Sequence, residues 1–479
     1  MNIILIVSDT FRRDYLGCYA NNWIHTPNID HLAKESVVFD RAYAASFPTV
    51  PNRRDLVTGR FSFTYSDWGP LPLEEIVLAD VLREAEYVTM LIADTPHILK
   101  DGYHFDRGFD GWKWIRGQEN DRYNTAPLDY SFPCNTDKLR SPYVTVKQYL
   151  RNVSQRRYES DYFVAQTMTE AAKWLEHNRK HERFFLYVDT FDPHEPWDPP
   201  KSYVDLYDPN YQGEKVIYPV YGPCDYLTSE EIRHVKALYA GEVTMVDRWV
   251  GFLLRKIKGL GLWDNTAIIF TSDHGFYHGE HGLIGKSIIT SSAHGLTQLY
   301  DEVTHIPLMI RVPGIESRRC EALVQPPDLM PTVLELAKAK IPKTIQGKSL
   351  LPLLKEDSPT WRDFAVTSPS IIHGPVAGQR ISVITKDWFF IYCGQIDEAL
   401  RELSAERKIK IVDGFERLQM IVGEKPKNEL YYLPKDPTQL KNVFDENIEV
   451  ASNIHAKLVK FLESVKTKED IMRYWKKII

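Results

Sequence analysis

Several features are scarce or missing in this chain, and each excludes something. Only five cysteines occur in 479 residues: Cys18, Cys134, Cys224, Cys320 and Cys393. Their number is odd, their spacing is wide and no CxxC occurs, so neither a disulfide framework nor a zinc knuckle is expected. No run of about 18 apolar residues exists, which argues against a membrane-spanning helix and a membrane partner. Positive charge is not in excess: 59 Lys and Arg face 65 Asp and Glu, for a net charge of -6. A basic nucleic-acid footprint is therefore not expected. Glycine (25) and proline (29) are ordinary in number. No low-complexity tract or internal repeat appears, so a long linker, a collagen and a repeat solenoid are excluded. The apolar opening Met1 to Val7 stops at Ser8-Asp9 and lacks a basic start. It is too short for a signal peptide, and a cytoplasmic location is expected. Composition leaves homo-oligomerisation open.

What is present suits a large folded protein. Apolar residues make up 43% and aromatics 12% of the chain, enough for a large core with aromatics to spare for a cleft. The length suggests one large domain and a smaller one. The β-branched runs Ile3–Val7, Tyr87–Ile92, Phe184–Val188, Thr266–Thr271 and Ile306–Val312 read as buried strands. Helical spacing covers Pro27–Glu35, Leu73–Glu84, Glu159–Asn178, Thr228–Lys258 and Pro331–Ala337. Thr228 and Glu231 form a capping box at the start of the longest helix. Asp192 to Tyr226 reads as loop. Short strands at Phe364–Thr367, Ile381–Thr385, Trp388–Tyr392 and Glu429–Leu433 precede a last helix near Val450–Thr467. The expected architecture is α/β: a large, mixed and mostly parallel sheet between helices over residues 1–360. A smaller antiparallel sheet with a helix follows over 361–479. Residues 104–156 have weak periodicity and are expected to form a cap or specificity insertion.

Four strands run directly into polar clusters: Ser8-Asp9-Thr10, Asp94-Thr95-Pro96-His97, Asp192-Pro193-His194 and Asp273-His274. Ligands of open parallel sheets bind at the carboxyl ends of the strands. These clusters are therefore expected to converge on one edge. Asp9, Asp273 and His274 suit one divalent cation, Ca²⁺, Mn²⁺ or Mg²⁺, with Zn²⁺ also compatible, and Thr10 can add an oxygen. Thr49 precedes a helical start and Arg53 follows one turn later, a pattern that suits an anion at a helix N-terminus.

The block Thr271–Lys286, TSDHGFYHGEHGLIGK, resembles the signature of the sulfatase family in the alkaline phosphatase superfamily. Thr49 to Arg60 is similar to that family's nucleophile block, Cys/Ser-x-Pro-x-Arg followed by Leu-x-Thr-Gly-Arg. Ile4–Asp9, Asp14–Tyr19, Thr26–Asp30, Pro193–Trp197, Pro307–Ile310, Asp328–Thr332 and Glu429–Tyr431 also match, in order, over nearly the whole chain. The resemblance implies a metal-dependent hydrolase. Asp9, Thr10, Asp273 and His274 would hold the metal, Thr49 would be the nucleophile, and Arg53 would steady it and the anion. His194 and Lys286 would bind the substrate oxyanion or protonate the leaving group. The substrate would be a small anionic ester. Asp94, Thr95, His97 and His281 are further candidates for contacting it. His278 and His281 raise the question of a second metal, but the block reads as that of one-metal members.

Two departures from the family pattern shape the functional expectation. The nucleophile is Thr49, whereas sulfatases oxidise Cys or Ser to formylglycine. Threonine carries a methyl group on its hydroxyl carbon and cannot become that aldehyde. A phosphorylated threonine is released by in-line attack of water, while a sulfated one has a harder exit. The family's Gly-Lys-Trp-His corresponds here to Ala93-Asp94-Thr95-Pro96, without the usual lysine. Asp94 would repel a bare dianion. It can meet a cationic part of the substrate, pair with an arginine or cap a turn. The expected activity is hydrolysis of phosphate or phosphonate esters through a covalent Thr49 ester. A sulfatase lacking formylglycine, a transferase and a non-catalytic anion-binding member are the rivals.

Overall fold

A computed structural model describes residues 1–290, 294–356, 361–373, 379–394, 410–412, 415–417 and 427–478. Its large sheet has eight strands. In chain order these are β1 Asn2–Ser8, β2 Val37–Ala42, β3 Val88–Ala93 and β4 Gly111–Trp114. They are followed by β5 Phe184–Thr190, β6 Thr266–Thr271, β7 Leu308–Arg311 and β8 Arg318–Val324. The spatial order is β8-β2-β7-β6-β1-β5-β3-β4. All neighbours are parallel except β7, which runs against both β2 and β6. Strand β1 lies between β5 and β6, and all seven of its residues are buried. A parallel strand covered on both faces needs this continuous apolar run.

Alternation along β1 divides the core. Ile4 and Ile6 face the layer that holds helices α2 (Phe163–Asn178) and α3 (Ser229–Gly259). Ile3, Leu5 and Val7 face the layer that holds the helix Leu78–Glu84, the helix Leu329–Leu336 and α1 (Thr49–Thr58). Each such side chain, fully removed from water, contributes roughly 1.5–3 kcal/mol. The capping box of α3 is present: the Thr228 N–H donates to Glu231 Oε2, and the Glu231 N–H donates to Thr228 Oγ1.

Some expected bounds shift. The helix expected over Leu73–Glu84 starts only at Leu78, because Val77 is extended and the Glu75 carboxylate turns to Arg54 and Arg60. The expected loop Asp192–Tyr226 contains a helical turn, Lys201–Val204, and a short strand, Tyr221–Pro223. That strand pairs with Leu283–Ile289 in a second, four-stranded sheet. Part of the 104–156 stretch is β4, the edge strand of the large sheet.

The C-terminal sheet orders β9 (Phe364–Thr367), β10 (Arg380–Thr385), β11 (Trp388–Cys393) and β12 (Glu429–Tyr432) as an antiparallel meander. Helix α4 (Ile448–Ser464) packs on it through Ala451, Ile454, Leu458 and Leu462, in one core with Ala45, Phe61 and Phe63. The end of β9 meets the segment that enters α1. Ser368 N–H donates to Ala45 O, and Phe47 N–H donates to Ser368 O. Among the described residues no helix is long and apolar enough to cross a membrane. The five cysteines are free thiols.

Candidate active site

Strands β1, β5 and β6 end side by side, and their last residues carry the polar clusters. Asp9 follows β1, Asp189 is the penultimate residue of β5, and Asp273-His274 follow β6 by two residues. Asp9, Asp273 and His274 are completely buried, and one ligand atom from each lies within 4.8 Å of the others. Thr10 holds the two carboxylates together. Its N–H donates to Asp273 Oδ1 (2.9 Å) and its hydroxyl donates to Asp9 Oδ1 (2.7 Å). It does so at φ +58°, a left-handed conformation unusual for a β-branched residue. Tyr239 of α3 fastens this turn by donating to Thr10 O and accepting from the Arg12 N–H. Asn52 of α1 donates to Asp273 O at 2.9 Å.

Thr49 is the first residue of α1, 2% exposed, with its hydroxyl 3.3 Å from His274 Nε2. The entering segment is fixed by buried Asp55, which accepts from the Ser46 N–H, the Ser46 hydroxyl and the Ser62 N–H. Burial raises the Asp55 carboxyl to about 7 against the pull of these bonds. The His274 Nδ1 lies 3.0 Å from Gly275 O. Nδ1 therefore carries the proton and Nε2 keeps its lone pair, the tautomer a ligating histidine requires. Burial lowers the His274 pKa to about 3, with Asp273 opposing and Lys286 adding to the shift. The imidazole is neutral at pH 7.

Arg53, also fully buried, extends from the next turn of α1 beneath the carboxylates. Its Nε and Nη2 donate in a fork to Asp189 Oδ2 and Oδ1 (3.1 and 2.9 Å). Its Nη1 donates to Asp273 and lies 2.9 Å from Asp9 Oδ2. Asp189 also accepts from the hydroxyls of Thr95 (2.5 Å) and Tyr187 (2.6 Å). In this structure Arg53 organises carboxylates; the implied contact with nucleophile and anion is not among its bonds.

The charges favour a cation. Burial first, then Asp273, push the Asp9 carboxyl well above its ordinary range, while Arg53 and Lys286 oppose this. Asp273 is held below its ordinary range by Arg53, His274 and Lys286 against burial. Asp9 Oδ2 accepts no hydrogen bond, although the Arg53 guanidinium is close. That contact is a charge attraction. A buried carboxylate oxygen without a hydrogen bond, beside a second carboxylate and a neutral imidazole, fits a divalent ion.

Lys286 reaches the site from the second sheet. It lies on the strand Leu283–Ile289, with Nζ 3.4 Å from Thr10 Oγ1 and 3.5 Å from His274 Nε2. His194 is 4% exposed and stacks on Phe191 at 4.0 Å. Its Nδ1 donates to Glu195 O (2.7 Å). Burial and Lys286 keep its pKa well below the ordinary value, with Glu119 opposing. Buried Glu195 in turn accepts from Arg140 (2.6 Å) and from Tyr221.

The remaining candidates divide. Asp94 caps the turn after β5: it accepts from the Phe191 N–H (2.6 Å) and the Thr190 hydroxyl (3.3 Å). Of the three roles open to it in the sequence, the turn cap is the one its bonds describe. Thr95 meets Asp189. His97 pairs with Glu119 (3.1 Å) and lies edge-on to Phe191. His281 faces Glu302 (3.3 Å) and stacks on Tyr300, and is not part of the Asp9, Asp273 and His274 group. His278 is enclosed by Tyr15, Trp197, Tyr239 and Phe276, with Nδ1 toward Arg12. Neither histidine belongs to the metal cluster. Sequence reasoning assigned no role to Asp189, Asn52 or Arg140. The position of Asp189 at a parallel strand's carboxyl end was the available signal; Asn52 and Arg140 carried none.

Buried carboxylates at adjacent strand ends, a neutral imidazole, a helix-terminal hydroxyl and two cations are groups that a metal-assisted ester hydrolase would use. The Sulfatase family model matches residues 1–339, and the chain belongs to that family. An arylsulfatase of Clostridium perfringens is 27% identical over 493 residues, covering 91% of this chain and 93% of the relative. An N-acetylglucosamine-6-O-sulfatase of Bacteroides thetaiotaomicron is 24% identical, covering 76% and 73%. The crystal structure of a phosphonate monoester hydrolase of Agrobacterium radiobacter superposes with a TM-score of 0.71 at 21% identity, over 97% of this chain and 96% of that one.

Proposed function

We propose that this hydrolase cleaves phosphate or phosphonate esters, monoesters or diesters, through a covalent ester on Thr49. The observation that carries this reading is the buried Thr49 hydroxyl 3.3 Å from His274 Nε2, at a helix N-terminus beside the cation-binding cluster. Asp9, Asp273 and His274, with Thr10 beside them, would hold one divalent ion: Ca²⁺, Mn²⁺ or Mg²⁺, with Zn²⁺ compatible. When bound, such an ion lowers the pKa of a neighbouring hydroxyl and stabilises charge on the transferred group.

Thr49 reacts as the alkoxide, its proton released to solvent; Oγ attacks phosphorus, the bond to the leaving oxygen breaks, and a proton from the Lys286 ammonium neutralises that oxygen. Water then attacks the threonine ester in line and Thr49 leaves as the alkoxide. Neutral His194, with Nδ1 held on Glu195 O, offers Nε2 to take the proton of that water, and this proton returns through solvent to Lys286. Thr49 has a β-methyl group, so formation of an aldehyde at this position is closed to it. Sulfate-ester hydrolysis is the competing reading, supported by the names of both curated relatives.

The test is turnover of p-nitrophenyl phenylphosphonate, bis-p-nitrophenyl phosphate, p-nitrophenyl phosphate and p-nitrophenyl sulfate, with added divalent metal. Metal-dependent phosphonate or phosphodiester turnover that Thr49→Ala lowers at least a thousandfold is expected, on the order seen for loss of a nucleophile. Turnover of the sulfate ester alone would overturn the reading.

A further inference from the structure

Arg53 and Arg54 are adjacent on α1 and point in different directions. While Arg53 serves the carboxylates, Arg54 runs outward to the loop after the helix. It donates to Ser66 and to the carbonyls of Asp67, Gly69 and Pro70, and it is 1% exposed. A buried guanidinium with donors fanned over successive carbonyls holds a loop in one shape. The loop is held at its other side as well: Ser370 donates to Ser66 O, and His373 lies 3.1 Å from Asp67.

The side chain this loop presents is Trp68. Its Nε1–H donates to the Tyr103 hydroxyl (2.9 Å), yet the residue is 39% exposed. The indole is thus fixed at its polar end while part of the side chain stays open to solvent. Ring contacts connect it to the catalytic groups. Trp68 lies 5.4 Å from the His97 ring, His97 lies 5.6 Å from Phe191, and Phe191 stacks on His194 at 4.0 Å. Ring packing is thus continuous from partly exposed Trp68 through His97 and fully buried Phe191 to His194. His97 is itself oriented by Glu119, a buried carboxylate that also accepts from Tyr218.

We propose that Trp68 and His97 form the leaving-group subsite, which accepts a flat group with an apolar face, either an aryl ring or the face of a pyranose. This rests on the ester-hydrolase reading and adds the substrate's outer half. Trp68 is the specificity determinant, and Arg54 is a positioning residue acting through the loop. The shared chemistry is stacking on an indole face.

Two arms test it. In the turnover arm, Trp68→Ala and Trp68→Phe are compared with wild type on the p-nitrophenyl and methyl esters of phenylphosphonate and on glucose 6-phosphate. Trp68→Ala should raise KM about tenfold for the aryl ester, the sugar ester or both, with Trp68→Phe restoring most of it. The methyl ester should change less than twofold. A loss confined to the aryl ester assigns the subsite to aryl groups, and one confined to the sugar ester assigns it to pyranoses. Equal loss on all three, or no loss, overturns the subsite.

The binding arm needs no turnover. Calorimetry on Thr49→Ala protein measures p-nitrophenyl phenylphosphonate, glucose 6-phosphate and inorganic phosphate, with and without Trp68→Ala. Weaker binding of either ester with unchanged phosphate binding supports the subsite. Unchanged ester binding, no ester binding at all, or equal weakening of phosphate overturns it. Absence of turnover in wild type would defeat the ester-hydrolase reading while leaving the binding arm to decide the subsite.

Discussion

Asp189→Asn is the substitution that most directly tests how the site is built. Asp189 is fully buried and receives four donors: Arg53 Nε, Arg53 Nη2, the Thr95 hydroxyl and the Tyr187 hydroxyl. Asparagine is nearly isosteric but replaces one acceptor oxygen with an NH₂ group. The hydroxyls can rotate to accept from it; a guanidinium N–H cannot. Whichever way the amide turns, one arm of the Arg53 fork faces a donor. A buried donor left unmatched costs about 1–3 kcal/mol. Breaking a buried ion pair outright costs about 3–5 kcal/mol. Arg53 retains Asp9 and Asp273, so the expected loss lies between, about 2–3 kcal/mol.

The second consequence concerns the metal. Freed from the fork, the guanidinium is drawn further onto Asp9 and Asp273, the carboxylates a divalent ion needs. Metal affinity should fall about 10–100-fold, as for loss of an outer partner at a metal site. Urea denaturation of metal-free protein reads the first effect, and competition with a chelating dye reads the second. Wild-type stability together with wild-type metal affinity would refute the assignment of Asp189 as the residue that positions Arg53.

Three further predictions follow from the same geometry. Arg140→Met should destabilise by about 3 kcal/mol, because buried Glu195 loses its cation; a loss below about 1 kcal/mol in urea titration would contradict this. His278 is held neutral by burial and by Arg12, with its pKa well below the ordinary value. The unfolded chain takes up this proton below its ordinary pKa, about 6.5, and the folded chain does not, so the contribution is present above that pH and lost as pH falls. His278→Gln should therefore reduce the slope of stability against pH between 6 and 5 by about 1.4 kcal/mol per pH unit, and an unchanged slope would refute it. Saturation with a divalent ion at about 100 times its Kd should stabilise the protein by about 2.7 kcal/mol, and Asp273→Asn should remove most of this gain. Thermal melts with and without chelator check it, and a variant that responds like wild type would exclude Asp273 as a ligand.

Much of the architecture was legible because buried parallel strands demand apolar runs and amphipathic helices demand 3.6-residue spacing. Ile3–Val7, Thr266–Thr271 and Thr228–Lys258 all declared themselves this way. The Asp9, Asp273 and His274 cluster was legible for a related reason: ligands gather where parallel strands end, and four polar clusters stand at such ends. Leu73–Glu84 misled because its spacing continues past a point where Glu75 turns to Arg54 and Arg60 and Val77 is extended. Local spacing holds no information about a partner twenty residues away.

What the chain by itself determined, then, was the layered α/β fold and the carboxylates, imidazole and hydroxyl gathered at the sheet edge, since both follow from periodicity and side-chain chemistry. What only the tertiary structure decided was which charge meets which. Arg53 turned inward to Asp189 and Arg54 outward to the Trp68 loop, although they are neighbours in sequence. Asp94 became a turn cap and Lys286 returned to the site on a strand of a second sheet. Burial makes these choices: each charged group without water takes the partner that the packed fold sets within hydrogen-bond distance, and that partner can lie anywhere in the chain.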